Sequence, residues 1–182
     1  MNLDELIAGL PGYAKDLTLN YSTLVLHNTE LTVEQLWGTV VVTAIATRCE
    51  ELTAAAVSRA SDVLSPGVLE AAKAAAALMG MNNVYYRFHH LTKNDMYATL
   101  PARLRMSGLR GHAADAVDFE LWCLAVSAVN ACGKCVDSHE QVLRDKKVTE
   151  QLINAVVRVT SVIHAIGVVV DAERAVPSAA KT

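Results

Sequence analysis

Glu34-Gln35-Leu36-Trp37 and Phe119-Glu120-Leu121-Trp122 are two versions of one short phrase, 85 residues apart from Trp37 to Trp122, and each tryptophan opens an Ala/Val-rich stretch. Carried outward, that register sets Arg59 against Arg144 and Ser65-Pro66 against Glu150-Gln151, each near the start of another long apolar run. Such self-similarity is expected of two copies of one helical unit packed together, because a single copy would leave its apolar face in water. Apolar residues recur with helical spacing, and no good period-two run with a hairpin turn is found. Turn signals at Leu10-Pro11-Gly12, His27-Asn28, Ser65-Pro66-Gly67, Thr99-Leu100-Pro101, 107–115 and Asp145-Lys146-Lys147 divide the chain into helix-length pieces. Thr32-Val33-Glu34-Gln35 has capping-box spacing, and Ser65 stands before a proline at a first helical position. The expected fold is all-α, one domain over 1–182 with a first repeat over 31–93 and a second over 116–173.

Composition agrees with that reading. The 182 residues are enough for one compact domain, and 52% are apolar while only 5% are aromatic, so the core must be built from Ala, Val, Leu, Ile and Met. A net charge of -3 without a Lys/Arg run of the kind that neutralises phosphates argues against nucleic acid as a partner. Residues 1–10 carry Asp4 and Glu5 where a secretory leader would be basic. The uncharged stretches 35–47 and 121–133 fall short of the roughly 18 to 20 apolar residues that span a bilayer. The cytoplasm is therefore the expected compartment, with no membrane association. In that reducing setting a Cys-x-x-Cys pair is a redox or metal candidate rather than a structural staple.

Asn130-Ala131-Cys132-Gly133-Lys134-Cys135-Val136-Asp137-Ser138-His139 carries the chemistry. Asn130 and Gly133 break the preceding helix and 134–144 can continue as a new one, which puts the cysteine pair at a helix N-terminus. Residues three apart share a helical face at a separation a disulfide can bridge. The helix dipole, the free backbone N–H groups and Lys134 all favour thiolate. His139 follows Cys135 by one turn, where its imidazole can take the thiol proton or stabilise the anion. Cys135 is thus the better-activated sulfur and the expected attacking thiol, with Cys132 condensing on its sulfenic acid. Competing readings are half of a zinc site, for which no second ligand pair is evident, and two inert core cysteines, against which Gly133, Lys134, Asp137 and His139 interleave. A thioredoxin fold would need the pair after a strand, not after the apolar helix of 121–129. Cys49 and Cys123 read as small core residues in apolar helical stretches. In the repeat register Thr47, Glu50, Ala54 and Gln35 fall opposite Cys132, Cys135, His139 and Glu120, leaving the first copy as scaffold. His27, His89, His90 and His112 read as solvated, and His164 as a satisfied core histidine.

The pattern of Glu120, eleven residues, Cys132-x-x-Cys135, three residues and His139 resembles the active-site signature of the AhpD alkyl hydroperoxide reductases, a branch of the carboxymuconolactone decarboxylase-like group. Leu10-Pro11-Gly12-Tyr13-Ala14-Lys15-Asp16, Glu34-Gln35-Leu36-Trp37-Gly38-Thr39, 79–87 and Leu104-Arg105-Met106 are similar to segments of mycobacterial-type members. The resemblance implies a two-repeat helical fold assembled as a homotrimer. It also implies transfer of electrons from dihydrolipoamide, on a lipoylated dihydrolipoamide acyltransferase, to the peroxiredoxin AhpC, together with direct reduction of alkyl hydroperoxides and no bound cofactor. Cys135 as nucleophile, Cys132 as its disulfide partner, and Glu120 with His139 as a proton relay are the roles it implies. Lys134 departs from members that carry a histidine inside the motif. Glu120 lies twelve residues before Cys132, about 18 Å along a straight helix, so a sharp reversal, a water chain or a neighbouring subunit has to bring it near. Asn82, Asn83 and Tyr85 are read as hydrogen-bonding residues of the fold. The rival functions are a CxxC redox sensor and a general disulfide reductase with another donor.

Overall fold

Thr32 and Ser65 cap helices as their spacing predicts. Thr32 accepts from the Gln35 backbone while the Gln35 side chain accepts from the Thr32 N–H, closing the capping box of a helix over Val33–Thr47. Ser65 accepts from the Val68 N–H ahead of a helix over Pro66–Leu91, with Pro66 at its first position. In chain order the computed structural model, which describes residues 2–176, contains α1 (Leu3–Ala8), α2 (Lys15–Tyr21), α3 (Val33–Thr47), α4 (Glu50–Ser61), α5 (Pro66–Leu91), α6 (Met96–Thr99), α7 (Ala116–Val129), α8 (Gly133–Asp145) and α9 (Glu150–Ala175). No strand occurs among the described residues, and the fold is all-α.

The core centres on α3, which packs on α7, α9 and α5. Val40, Val41, Val42 and Ala44 are fully enclosed, and so are Leu121, Trp122 and Leu124 on α7. The closest approach is at Gly38, where an added Cβ would lie 2.1 Å from the Trp122 ring. One polar link crosses the same seam: the Gln35 amide donates to Asp118 Oδ1 at 2.9 Å. Burial pushes the Asp118 carboxyl above the usual carboxylate range, although that hydrogen bond works against the shift. By length and composition α9 could cross a bilayer, which the uncharged stretches alone did not reveal, but 56% of its most apolar window is buried. Its apolar character is accounted for by its place in the core.

The two helical series correspond in order, but caps set their register and tryptophans do not. Arg48 and Ala131 take left-handed φ values of 67° and 53°, and the next residues, Cys49 and Cys132, are the N-caps of α4 and α8. That junction pairs at 83 residues, Cys49 to Cys132, so the thiol-site residues Cys135, His139 and Glu120 meet Leu52, Ala56 and Trp37 rather than the partners read from the 85-residue register. The tryptophans mislead because they sit at different depths after their caps, Thr32 and Asp115. Cys49 therefore stands at a helix start and not within one. It is buried all the same, as is Cys123, and burial pushes both thiols upward. Low reactivity is the expected consequence, because desolvation disfavours the thiolate.

Candidate active site

The turn between α7 and α8 is held from behind by α5. Asn83 donates to Ser127 Oγ at 3.0 Å and accepts from the Asn130 side chain at 3.0 Å, while Arg87 donates to the Asn130 carbonyl at 2.7 Å. Asn83 thus has the fold-holding role read from sequence, whereas Tyr85 makes ring contacts with Tyr86 and His89. The left-handed Ala131 completes the reversal, and the Cys132 N–H returns to the Ser127 carbonyl at 3.0 Å. Cys132 then caps α8 and Cys135 lies in its first turn. Their sulfurs are joined in a disulfide with Cα atoms 5.2 Å apart. Cys132 is fully enclosed, while Cys135 retains 6% exposure and lines a pocket of about 340 Å³.

The same reversal resolves the distance to Glu120. Antiparallel packing of α8 on α7 sets Glu120 Oε2 2.8 Å from His139 Nδ1, within one chain and without an intervening water. Glu120 is thus not a solvent-facing carboxylate at a helix start. With Nδ1 engaged by the carboxylate, the imidazole ring is fixed and Nε2 is the nitrogen left for proton exchange. Nε2 lies 3.3 Å from the thioether sulfur of Met79. Among the described residues no hydrogen bond joins His139 to either cysteine, so the geometry places it as a neighbour one turn along the same α8 wall of the pocket rather than as a direct partner. Lys134 lines the pocket beside Cys135. No group of three or more His, Cys, Asp or Glu among the described residues is placed to hold a metal ion.

Sequence reasoning missed the opposite wall. Met79, Asn82 and Tyr86 come from one face of α5, at i, i+3 and i+7, and Met106 comes from the connection before α7. Sequence predicts a hydrogen-bonding role in the fold for Asn82, yet its Oδ1 is buried without a partner. Such an orphan costs roughly 1–3 kcal/mol. A polar residue on the apolar side of α5 was the available signal. The histidines outside the site also differ in part from their reading: His112 is not simply solvated but stacks on Phe119 at 3.9 Å between ring centres. His164 meets Thr47 Oγ1 at 3.0 Å, a satisfied histidine as expected.

Comparison with known proteins identifies the family. The pattern of the Carboxymuconolactone decarboxylase family matches residues 95–177, which contain the whole thiol motif. A protein of Acidobacterium capsulatum named alkyl hydroperoxide reductase AhpD is 64% identical over 174 residues, covering 96% of this chain and 95% of its own. The chain belongs to the AhpD family. Other AhpD relatives of the same name are 54% identical in Koribacter versatilis, over 95% of this chain and 89% of that one, and 47% identical in Brucella canis, over 94% and 98%. Likeness at this level along nearly the whole length covers the first helical series as well as the thiol-bearing second half.

Proposed function

We propose that this AhpD-family protein is a cytoplasmic thiol-disulfide oxidoreductase that reduces alkyl hydroperoxides and regenerates the peroxiredoxin AhpC with electrons from dihydrolipoyl groups. The observation that carries the reading is the Cys132–Cys135 disulfide at the start of α8, beside a pocket that also receives the Glu120-held His139. A dihydrolipoamide thiolate, carried on a lipoylated dihydrolipoamide acyltransferase, attacks the disulfide. The second lipoyl sulfur then closes its own ring, leaving two protein thiols and oxidised lipoamide. Intramolecular closure gives a dithiol donor a high effective concentration that a monothiol lacks.

In the reduced protein the α8 N-terminus and Lys134 favour thiolate at Cys135. That thiolate attacks the hydroxyl-bearing oxygen of the hydroperoxide. The O–O bond breaks, Cys135 becomes a sulfenic acid, and the alkoxide takes a proton from His139. Cys132 then attacks the sulfenic sulfur, re-forming the disulfide and releasing water. Glu120 keeps the ring oriented through its contact with Nδ1. With an oxidised peroxiredoxin, Cys135 attacks the partner disulfide instead, and Cys132 resolves the mixed disulfide. Val84, Phe88, Leu91, Met96 and Leu100 form exposed apolar surface on and beyond the end of α5, which suits burial between copies in a homotrimer.

Stopped-flow mixing of oxidised protein with dihydrolipoamide, then with cumene hydroperoxide or oxidised AhpC, tests the reading. Rapid thiol release and stoichiometric reoxidation are expected, with glutathione much slower. His139→Phe should reduce the hydroperoxide rate by about 10²-fold or more, the usual worth of a positioned acid–base group. Failure of dihydrolipoamide to reduce the wild type removes the lipoyl link, and an undiminished His139→Phe rate removes the proton relay.

A further inference from the structure

We propose that Asn82 is a substrate-binding residue whose side-chain carbonyl accepts a hydrogen bond from the O–H of an alkyl hydroperoxide, biasing the pocket toward hydroperoxides over disulfides. The inference rests on the peroxidase reading above and adds the residue that recognises the peroxide end of the substrate.

The pocket has two helical walls. α5 contributes Met79, Asn82 and Tyr86, and α8 contributes Lys134, Cys135, Ser138 and His139, with Met106 closing a third side. On the α5 wall Met79 and Tyr86 offer apolar surface, to which an alkyl chain is complementary. Asn82 lies between them in sequence. It is 6% exposed, and its Oδ1 has no hydrogen-bond partner.

The neighbouring polar network does not need it. Asn83, Ser127, Asn130 and Arg87 satisfy one another directly across the turn that presents the thiols. A buried amide oxygen with no partner is retained at a cost unless something donates to it, and the N–H and O–H donors on the facing wall, Lys134, Ser138 and His139, make no hydrogen bond to it. The possible donors can be sorted by chemistry. A disulfide and a thioether have no hydrogen to give, and the S–H group is a weak donor. An alkyl hydroperoxide carries its one O–H on the same oxygen that the Cys135 thiolate attacks. Acceptance by Asn82 would therefore hold that oxygen between the two walls while His139 protonates the departing alkoxide. The hydrogen stays on the transferred oxygen, first in the hydroperoxide and then in the Cys135 sulfenic acid, so the hydrogen bond need not break during the step. Met79 and Met106 are unbranched and can adjust around an entering chain.

The test compares two reactions of the same reduced full-length protein: reduction of cumene hydroperoxide and reduction of 5,5′-dithiobis(2-nitrobenzoate), a disulfide without an O–H donor. Asn82→Leu should lower the ratio of the two second-order rates about tenfold, the worth of one such hydrogen bond. It should also hold or raise Tm, since the orphan oxygen is gone. Should the leucine variant not accumulate, the pair Asn82→Ala and Asn82→Ser makes the same comparison, with the serine hydroxyl recovering part of the ratio. An unchanged ratio overturns the proposal. So does a parallel fall of both rates with a lower Tm, which would mark Asn82 as a packing residue. A wild type that reduces the aromatic disulfide but no hydroperoxide overturns the peroxidase reading together with this inference, and that control separates the two failures.

Discussion

Cys135→Ser is expected to abolish hydroperoxide and peroxiredoxin reduction, by at least about three orders of magnitude, because it removes the sulfur that must carry the negative charge and make the first bond. Cys132→Ser is expected to fail differently. Cys135 still attacks, but its mixed disulfide with the peroxiredoxin finds no resolving thiol and accumulates as a covalent adduct, visible on a non-reducing gel. The basis for this order is positional: Cys135 lies inside the first turn of α8 and reaches the pocket, whereas Cys132 is the N-cap and is fully enclosed. An adduct in Cys135→Ser and none in Cys132→Ser would reverse the two roles. Cys49 and Cys123 should not substitute for either sulfur, since burial holds both as thiols.

Gly38→Ala should lower Tm by about 5–10 °C, which corresponds to about 2–3 kcal/mol in a chain of this size. Helix propensity alone predicts the opposite sign, because alanine is favoured over glycine in a helix interior by about 1 kcal/mol. Sterics decide the outcome. The new Cβ would stand 2.1 Å from Cε2 and 2.3 Å from Nε1 of Trp122, and that indole is fully buried with no open side into which it can move. α3 and α7 would have to separate along the central seam of the core. In Gly38→Ala/Trp122→Phe the smaller ring should recover part of the loss, giving a double variant more stable than the sum of the two single effects. Calorimetry of the four proteins measures that coupling, and strict additivity would mean that the contact is not the source of the loss.

Helix starts were legible in sequence because capping is local: Thr32 with Gln35, and Ser65 with Pro66, engage backbone groups within three residues. The thiol site was legible for the same reason, since Cys132, Cys135 and His139 lie within two turns of one helix. The likeness of the two helical series is legible in sequence only as a pattern. The identical tryptophans lie two residues out of register with the less conspicuous Arg48-Cys49 and Ala131-Cys132 junctions, whose likeness lies in backbone conformation.

Residue types and short-range spacing by themselves determined the all-α class and placed a cysteine pair at a helix start with a histidine one turn on. Tertiary structure alone decided what faces that pair. The reversal at 130–132 carries Glu120 to 2.8 Å from His139 although twelve residues separate it from Cys132. The packing of α5 brings in Met79, Asn82 and Tyr86 from far along the chain. Helical periodicity says which residues share a face, but which face meets which partner depends on how whole helices cross. Here that crossing is set by long-range fits such as Trp122 over Gly38, and no local window of sequence contains both halves of such a fit.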